Sequence, residues 1–295
     1  MSRRSRIGWA DATWNWLRGC TATSSPGCHN CYARRIVAAV ADRTGRGAYL
    51  LRDTRWSGRV EAVTEALQLP LSWRRPRLIA VNNLSDTFHG LATPDALGAA
   101  FAVMLSRPQH RFVIETKRPE NARTFFRDAS TLNRIITAGD MAGVQVAEPA
   151  PWPPPNVAVA ASVCNQAEAD AMAVDLITTR AARRGLHCAP LLDAVDLREY
   201  LRPYGDRPHG IDWVVVGGET GPNARPCELR HLRSVVAQCA EAAVPCYVTH
   251  LGRDARDDRL QTPDDHFGDG GETDRWPEDL RVRQPIWPFE TKPAP

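Results

Sequence analysis

Three cysteines stand in one short stretch, Gly19-Cys20-Thr21-Ala22-Thr23-Ser24-Ser25-Pro26-Gly27-Cys28-His29-Asn30-Cys31-Tyr32, at the spacing C-x7-C-x2-C. Its Gly, Pro and Ser content makes it a loop, long enough to fold three thiolates around one point. Three ligands leave one metal position open. On a [4Fe–4S] cluster held by Cys20, Cys28 and Cys31, the open iron can take a substrate or cofactor, and radical chemistry with S-adenosylmethionine (SAM) is one chemistry built this way. Structural zinc wants a fourth protein ligand, and none stands at zinc-finger spacing. His29, inside the C-x2-C, is too constrained for that role. Zinc completed by a distant Cys or His, and cysteines that bind nothing, stay open as alternatives.

The chain of 295 residues has eight cysteines, at 20, 28, 31, 164, 188, 227, 239 and 246, clustered once and then scattered. It is too long to need a disulfide scaffold, so reduced thiols and a metal fit better. The basic start has no apolar run behind it, and no stretch is apolar enough to span a bilayer, so a cytoplasmic protein with no membrane partner is expected. A net charge of +3 does not announce nucleic acid, and no basic patch interleaved with aromatics is expected. Nearly all the positive charge is arginine, which leaves Lys117 conspicuous.

The elements that must position these residues follow from apolar periodicity. Trp9, Trp14 and Trp16 anchor an N-terminal arm in the core. Tyr32 to Ala41 has helical spacing and turns its N-terminus, the dipole end that suits an anion, toward the cysteines. Apolar runs at Leu78–Val81, Arg111–Ile114, Val157–Ala161, Leu186–Leu192, Ile211–Val216 and Val244–Val248 predict strands, with a seventh near Leu17–Cys20 or Val60. Helices are predicted between them, at Thr93–Leu105, Ala167–Arg180 and Arg230–Ala243. Runs without alternation, each followed by a helix at about thirty-residue spacing, predict a parallel sheet in an α/β fold: a full or partial (β/α) barrel, with an open doubly wound sheet as runner-up. Asn82, Asn83, Ser85, Asp86, Glu115, Lys117, Ser162, Asn165, Glu219 and His250 then converge at the C-terminal strand ends, where barrel active sites are built. Residues 1–252 form the barrel domain with its cluster loop at 19–32. Residues 253–295 form a tail or lid that packs back through Trp276, Trp287 and Phe289.

Over nearly its whole length the chain resembles a phage- and mobile-element-associated family of three-Cys-motif proteins of radical-SAM type. The matching stretches are Trp9-Ala10-Asp11-Ala12-Thr13-Trp14-Asn15, the cysteine loop, Val81-Asn82-Asn83-Leu84-Ser85-Asp86-Thr87-Phe88, Thr116-Lys117-Arg118-Pro119, Val215-Val216-Gly217-Gly218-Glu219-Thr220-Gly221-Pro222-Asn223-Ala224-Arg225-Pro226 and Trp276-Pro277-Glu278-Asp279-Leu280-Arg281-Val282-Arg283. The resemblance implies a radical-SAM-like barrel with one [4Fe–4S] cluster on Cys20, Cys28 and Cys31, reductive cleavage of SAM, and hydrogen abstraction from an unassigned substrate. That substrate is a nucleobase, a nucleotide or a protein side chain. It further implies an electron donor such as ferredoxin or flavodoxin, and a companion protein. Three positions depart from the family: Cys164 replaces a Glu after Ser-Val, Cys188-Ala189-Pro190 replaces Ala-Glu-Pro, and Thr249-His250-Leu251-Gly252 replaces Lys-Gln-Trp-Gly.

Candidate roles follow, each with a plainer counterpart. Asn82, Ser85, Asp86 and Ser162 bind cofactor, or the first three cap a helix. Gly217, Gly218 and Glu219 let backbone and a carboxylate approach a ligand, or close a strand. Lys117 holds an anion, or pairs with Glu115 or Asp86. Arg225 reaches an anionic group, or is a solvated loop residue. Cys164 and Cys188 face the site as hydrogen-atom donors or second-site ligands, or fill the core; His250 is a rim residue rather than a ligand. No function is assigned to Cys227, Cys239 or Cys246. The alternative to an enzyme is a non-catalytic binding module stapled by Fe–S or zinc, possibly associated with nucleic acid.

Overall fold

Seven strands pair in one parallel sheet: β1 (Ala12–Trp14), β2 (Leu78–Val81), β3 (Arg111–Thr116), β4 (Val157–Ser162), β5 (Arg183–Cys188), β6 (Trp213–Gly217) and β7 (Cys246–His250). The computed structural model describes residue 5, residues 7–259 and residues 273–288. Each strand lies beside the one before it in sequence. An order that never reverses has no switch point, so the crossovers stack their helices on one face. The sheet accordingly curls into a half-barrel, and the doubly wound alternative is excluded. The seventh strand is Ala12–Trp14 and not the stretch near Leu17–Cys20 or Val60, where Leu17–Arg18 and Glu61–Ala62 form a separate antiparallel pair.

Both faces of the strands are buried, which is why their sequences do not alternate. On the convex face Ile79, Val81, Phe112, Ile114, Val159, Val214 and Val216 join the main core. They pack there with α2 (Pro94–Leu105), α3 (Pro119–Arg127), α4 (Thr131–Met141), α5 (Gln166–Ile177) and α6 (Leu229–Glu241), while α1 (Tyr32–Thr44) follows the cysteine loop. On the concave face Leu78, Ala80, Val113, Ala158, Ala160, Val215 and Tyr247 form a second apolar cluster with Trp9 and Trp213. Trp213 lies so close to Gly185 that a Cβ there would stand 2.1 Å from its ring. Two residues further along each strand the concave face turns polar, at Glu115, Ser162, His187 and Thr249, and the apolar floor ends where these begin. Trp14 and Trp16 are fully buried, as their core role requires.

The last described segment packs back onto the sheet. Val248 N donates to Val282 O at 2.8 Å and Gln284 N to Cys246 O at 3.1 Å, so residues 282–284 run antiparallel along the free edge of β7 and cover it. Trp276 and Leu280 enter the main core, and Arg283 lies over the rings of Tyr247 and Trp276. Phe289 and residues 260–272 of the expected lid lie outside the described residues. No described helix is long and apolar enough to cross a membrane.

Candidate active site

The strand ends and the cysteine loop enclose a cavity of about 320 Å³. Cys20, Cys28 and Cys31 line it, together with Asn82, Ser85, Asp86, Glu115, Lys117, Ser162, His187, Gly218, Glu219 and His250. Of the expected site residues, Gly217, Cys164, Cys188, Arg225 and Asn165 are not part of this lining; Asn165 instead caps α5, its Oδ1 accepting from Glu168 N at 3.0 Å.

Asp86 is the hub that fixes the loop. Oδ1 accepts from Phe88 N (3.0 Å) and Thr116 Oγ1 (2.7 Å), and Oδ2 accepts from Lys117 N (3.1 Å) and Arg118 Nη1 (2.8 Å). Arg118 extends the network, donating from Nη2 to the carbonyl and hydroxyl of Thr21, next to Cys20. His89 Nδ1 accepts the Leu91 amide, so its Nε2 carries the proton and donates to Thr21 Oγ1 at 2.8 Å. Ser85 Oγ donates to Gly19 O at 2.6 Å, and Asn82, at a positive φ of 51°, accepts from Leu17 N and donates to Thr87 Oγ1. Neither Ser85 nor Asp86 caps the next helix: Thr93 does that for α2, accepting from Ala96 N. These side chains line the cavity while their polar atoms hold β1, β2, β3 and the loop together.

Lys117 points across the cavity wall to the loop and to β4. Its Nζ donates to Ser25 Oγ (2.8 Å) and Ser162 O (3.1 Å) and lies 3.9 Å from Cys164 Sγ. The ion pairs entertained for it are absent among the described residues, because Asp86 is taken by Arg118 and Glu115 by His187. Cys164 is fully buried beneath the loop, where a Cβ on Gly27 would stand 2.6 Å from its sulfur. Burial pushes its thiol up, and the charge of Lys117 works against that rise. Cys188 does not face the site. Alternating with His187, it turns to the convex face, fully buried near Cys246, and burial raises its thiol far above the ordinary range.

Glu115 and His187 form the cavity's acid–base pair. His187 Nδ1 donates to Glu115 Oε1 at 2.5 Å, which fixes the ring and leaves Nε2 as the nitrogen without a protein partner among the described residues. His187 escaped sequence reasoning because placing Cys188 toward the site turns its neighbour His187 away; the face shared with Glu115 and Ser162 is the signal that finds it. His250, beside it, has a buried Nδ1 without a hydrogen-bond partner, and burial, aided by the charge of His187, lowers its pKa from 6.5 to about 4. Burial lowers His89 and His110 in the same direction. Between pH 6.5 and 4 the unfolded chain therefore binds protons the folded chain refuses, so stability falls as pH falls through that window, by about 3 kcal/mol for His250 alone. Urea melts of wild type and His250→Gln across this window should show the wild type losing more; equal losses would refute the assignment.

Gly217 and Gly218 serve the chain itself. A Cβ on Gly217 would lie 2.7 Å from His250 O, and one on Gly218 2.3 Å from Leu251 O, so both let β6 and β7 exit side by side. Glu219 is gripped by Arg225 through Nη2 to Oε1 (2.6 Å) and Nε to Oε2 (2.9 Å). Burial would raise its pKa, but the Arg225 hydrogen bonds outweigh it and the carboxyl sits below its ordinary value. Arg225 is thus an ion-pair partner, not a solvated residue. The same turn is tied to the cysteine loop and α1, since Arg35 donates to Thr220 O (2.6 Å) and Asn30 to Asn223 O (3.2 Å).

The donor set fits a thiolate-bound group. All three loop cysteines are free thiols facing one cavity, and Cys31 stands at the N-terminus of α1 with no capping bond of its own. Burial, with Asp86 acting the same way, pushes the Cys20 thiol up to about 12, against the pull of Arg118, so a metal must displace that proton. Among the described residues no three His, Cys, Asp or Glu side chains are already gathered around one metal point, and binding would have to draw the thiols together. A family model described as "protein of unknown function (DUF5131)" matches residues 4–278. No curated protein and no solved structure matches the chain.

Proposed function

The chain belongs to the DUF5131 family of proteins of unknown function, and we propose that it is an iron–sulfur enzyme of radical-SAM type, with a [4Fe–4S] cluster on Cys20, Cys28 and Cys31. The observation that carries this reading is the lining of a single cavity by all three thiols and by the polar ends of the strands. When bound, such a cluster with one open iron supplies the electron that cleaves the sulfonium of SAM and so generates a hydrogen-abstracting radical. The chain's own residues position and shield. Asp86, Arg118 and Ser85 set the height of the loop above the strand ends. Lys117, whose ammonium has hydroxyl, carbonyl and thiol neighbours but no carboxylate among the described residues, offers its charge to an anionic group in the cavity. Glu115 and His187 hold a proton beside the same space. The reading extends to a ferredoxin- or flavodoxin-type electron donor and a companion protein.

Anaerobic reconstitution, iron and sulfide analysis, and electron paramagnetic resonance of the reduced protein test it. About four irons and four sulfides per chain, with a signal that shifts on adding SAM, are expected. One observation favours a second reading, a metal-stapled binding module: Asn82, Ser85, Asp86 and Glu219 are engaged in holding the fold. That reading is supported instead if the cluster forms and its spectrum ignores SAM, or if stoichiometric zinc is found.

A further inference from the structure

Beside the cavity, residues 32–62 carry seven arginines against three carboxylates, a surplus of four in a chain whose whole net charge is +3. Arg43, Arg46, Arg52, Arg55 and Arg59 are exposed. Among the described residues none of the seven joins a carboxylate in an ion pair, whereas ten arginines elsewhere do. The five exposed guanidiniums thus present their charge to solvent without an ion-pair partner among the described residues. Aromatic rings stand among these charges. Tyr32 is 42% and Tyr49 43% exposed, Arg59 lies 6.0 Å over the Tyr49 ring, and Trp56 reaches the cavity wall. The arm is joined to the site itself, because the Arg59 carbonyl and Leu50 pack against Gly19, next to Cys20, and Tyr32 follows Cys31 directly.

We propose that this arm is a binding surface for single-stranded nucleic acid and leads the strand to the cavity, so that the substrate class is a nucleotide within a polymer. Unpaired guanidiniums take the phosphates and exposed tyrosines take base faces, the combination by which single strands are held without sequence preference. The whole-chain charge concealed this interleave of basic and aromatic residues. The surface stands whether or not the cavity holds a cluster; only the identity of the polymer as substrate rests on the proposed function.

Fluorescence anisotropy of a labelled oligodeoxythymidylate of about 12 nucleotides with the full-length chain tests it. Binding is expected at low salt, with the affinity falling as salt rises by a log–log slope of about −3 for four phosphate contacts. Replacing Arg46, Arg52, Arg55 and Arg59 together by Gln should weaken binding at least about 100-fold and flatten that slope. Tyr49→Ala should cost about tenfold and Tyr49→Phe almost nothing, since the ring remains. Bound oligonucleotide should slow alkylation of Cys28 and Cys31 by iodoacetamide in the metal-free protein. Thermal melts confirm that the variants fold, and single Arg52→Gln and Arg55→Gln variants replace the quadruple one if it does not. The proposal is overturned by no binding up to about 100 μM protein, by equal competition from polyglutamate, by tighter binding of a duplex, by arginine or Tyr49→Ala variants that bind like wild type, or by binding that leaves both cysteines unprotected. None of these measurements needs a cluster, so their failure leaves the cavity reading untouched, and failure to assemble a cluster leaves this one untouched.

Discussion

Asp86→Asn is expected to lower stability by about 3–5 kcal/mol and to unfasten the cysteine loop. The carboxylate gathers four donors, one of them the guanidinium of Arg118, and the two side chains are only 6% and 12% exposed. An amide of the same shape presents an N–H to a site that already holds only donors, and Arg118 loses its counter-charge where water cannot replace it. Arg118 is also the tether to Thr21, so the effect reaches Cys20. Urea unfolding reads the first consequence and the rate of Cys20 alkylation reads the second. A loss under about 1 kcal/mol with unchanged alkylation would show that Asp86 is a peripheral contact. A double change with Arg118→Met should cost less than the two single costs combined, because the stranded cation is then removed as well.

Among single substitutions at cysteine, Cys20→Ala, Cys28→Ala and Cys31→Ala are each expected to drop bound iron to background after anaerobic reconstitution, while Cys164→Ala retains it. Cys164 comes near the loop, but Ser25, Gly27 and the Lys117 ammonium are packed against its sulfur, and it is absent from the cavity lining. Its place is under the loop, filling the space Gly27 leaves. Visible absorbance and an iron assay on the four variants decide the matter. Iron retained by any of the three loop variants would remove that cysteine from the ligand set, and iron lost with Cys164→Ala would add a ligand and close the open position.

Strands with continuous apolar runs, such as Leu78–Val81 and Trp213–Gly217, were legible because both faces are buried and every residue declares it. β5 was legible only in its second half. It opens with Arg183-Arg184-Gly185, a charged start explained by the buried pair of Arg184 with Asp212 at 3.1 Å and by the room Trp213 needs at Gly185. At the site, residue type located the cavity but did not divide ligand-facing atoms from fold-holding ones. Asp86 and Ser85 spend their polar atoms on partners far away in sequence, Arg118 and Gly19, and no local pattern announces such partners. Cys188 was misplaced for a simpler reason: a strand position one residue off changes the face.

The strand order has a consequence for how the molecule is made. Every strand finds its neighbour in the strand synthesised just before it, so the sheet can zip up behind the ribosome with no strand waiting for one still to come. The exception is the last margin. β7 keeps a bare row of amides and carbonyls until residues 282–284 arrive to cap it, so a nascent chain halted before that point exposes a template for pairing with another copy of itself.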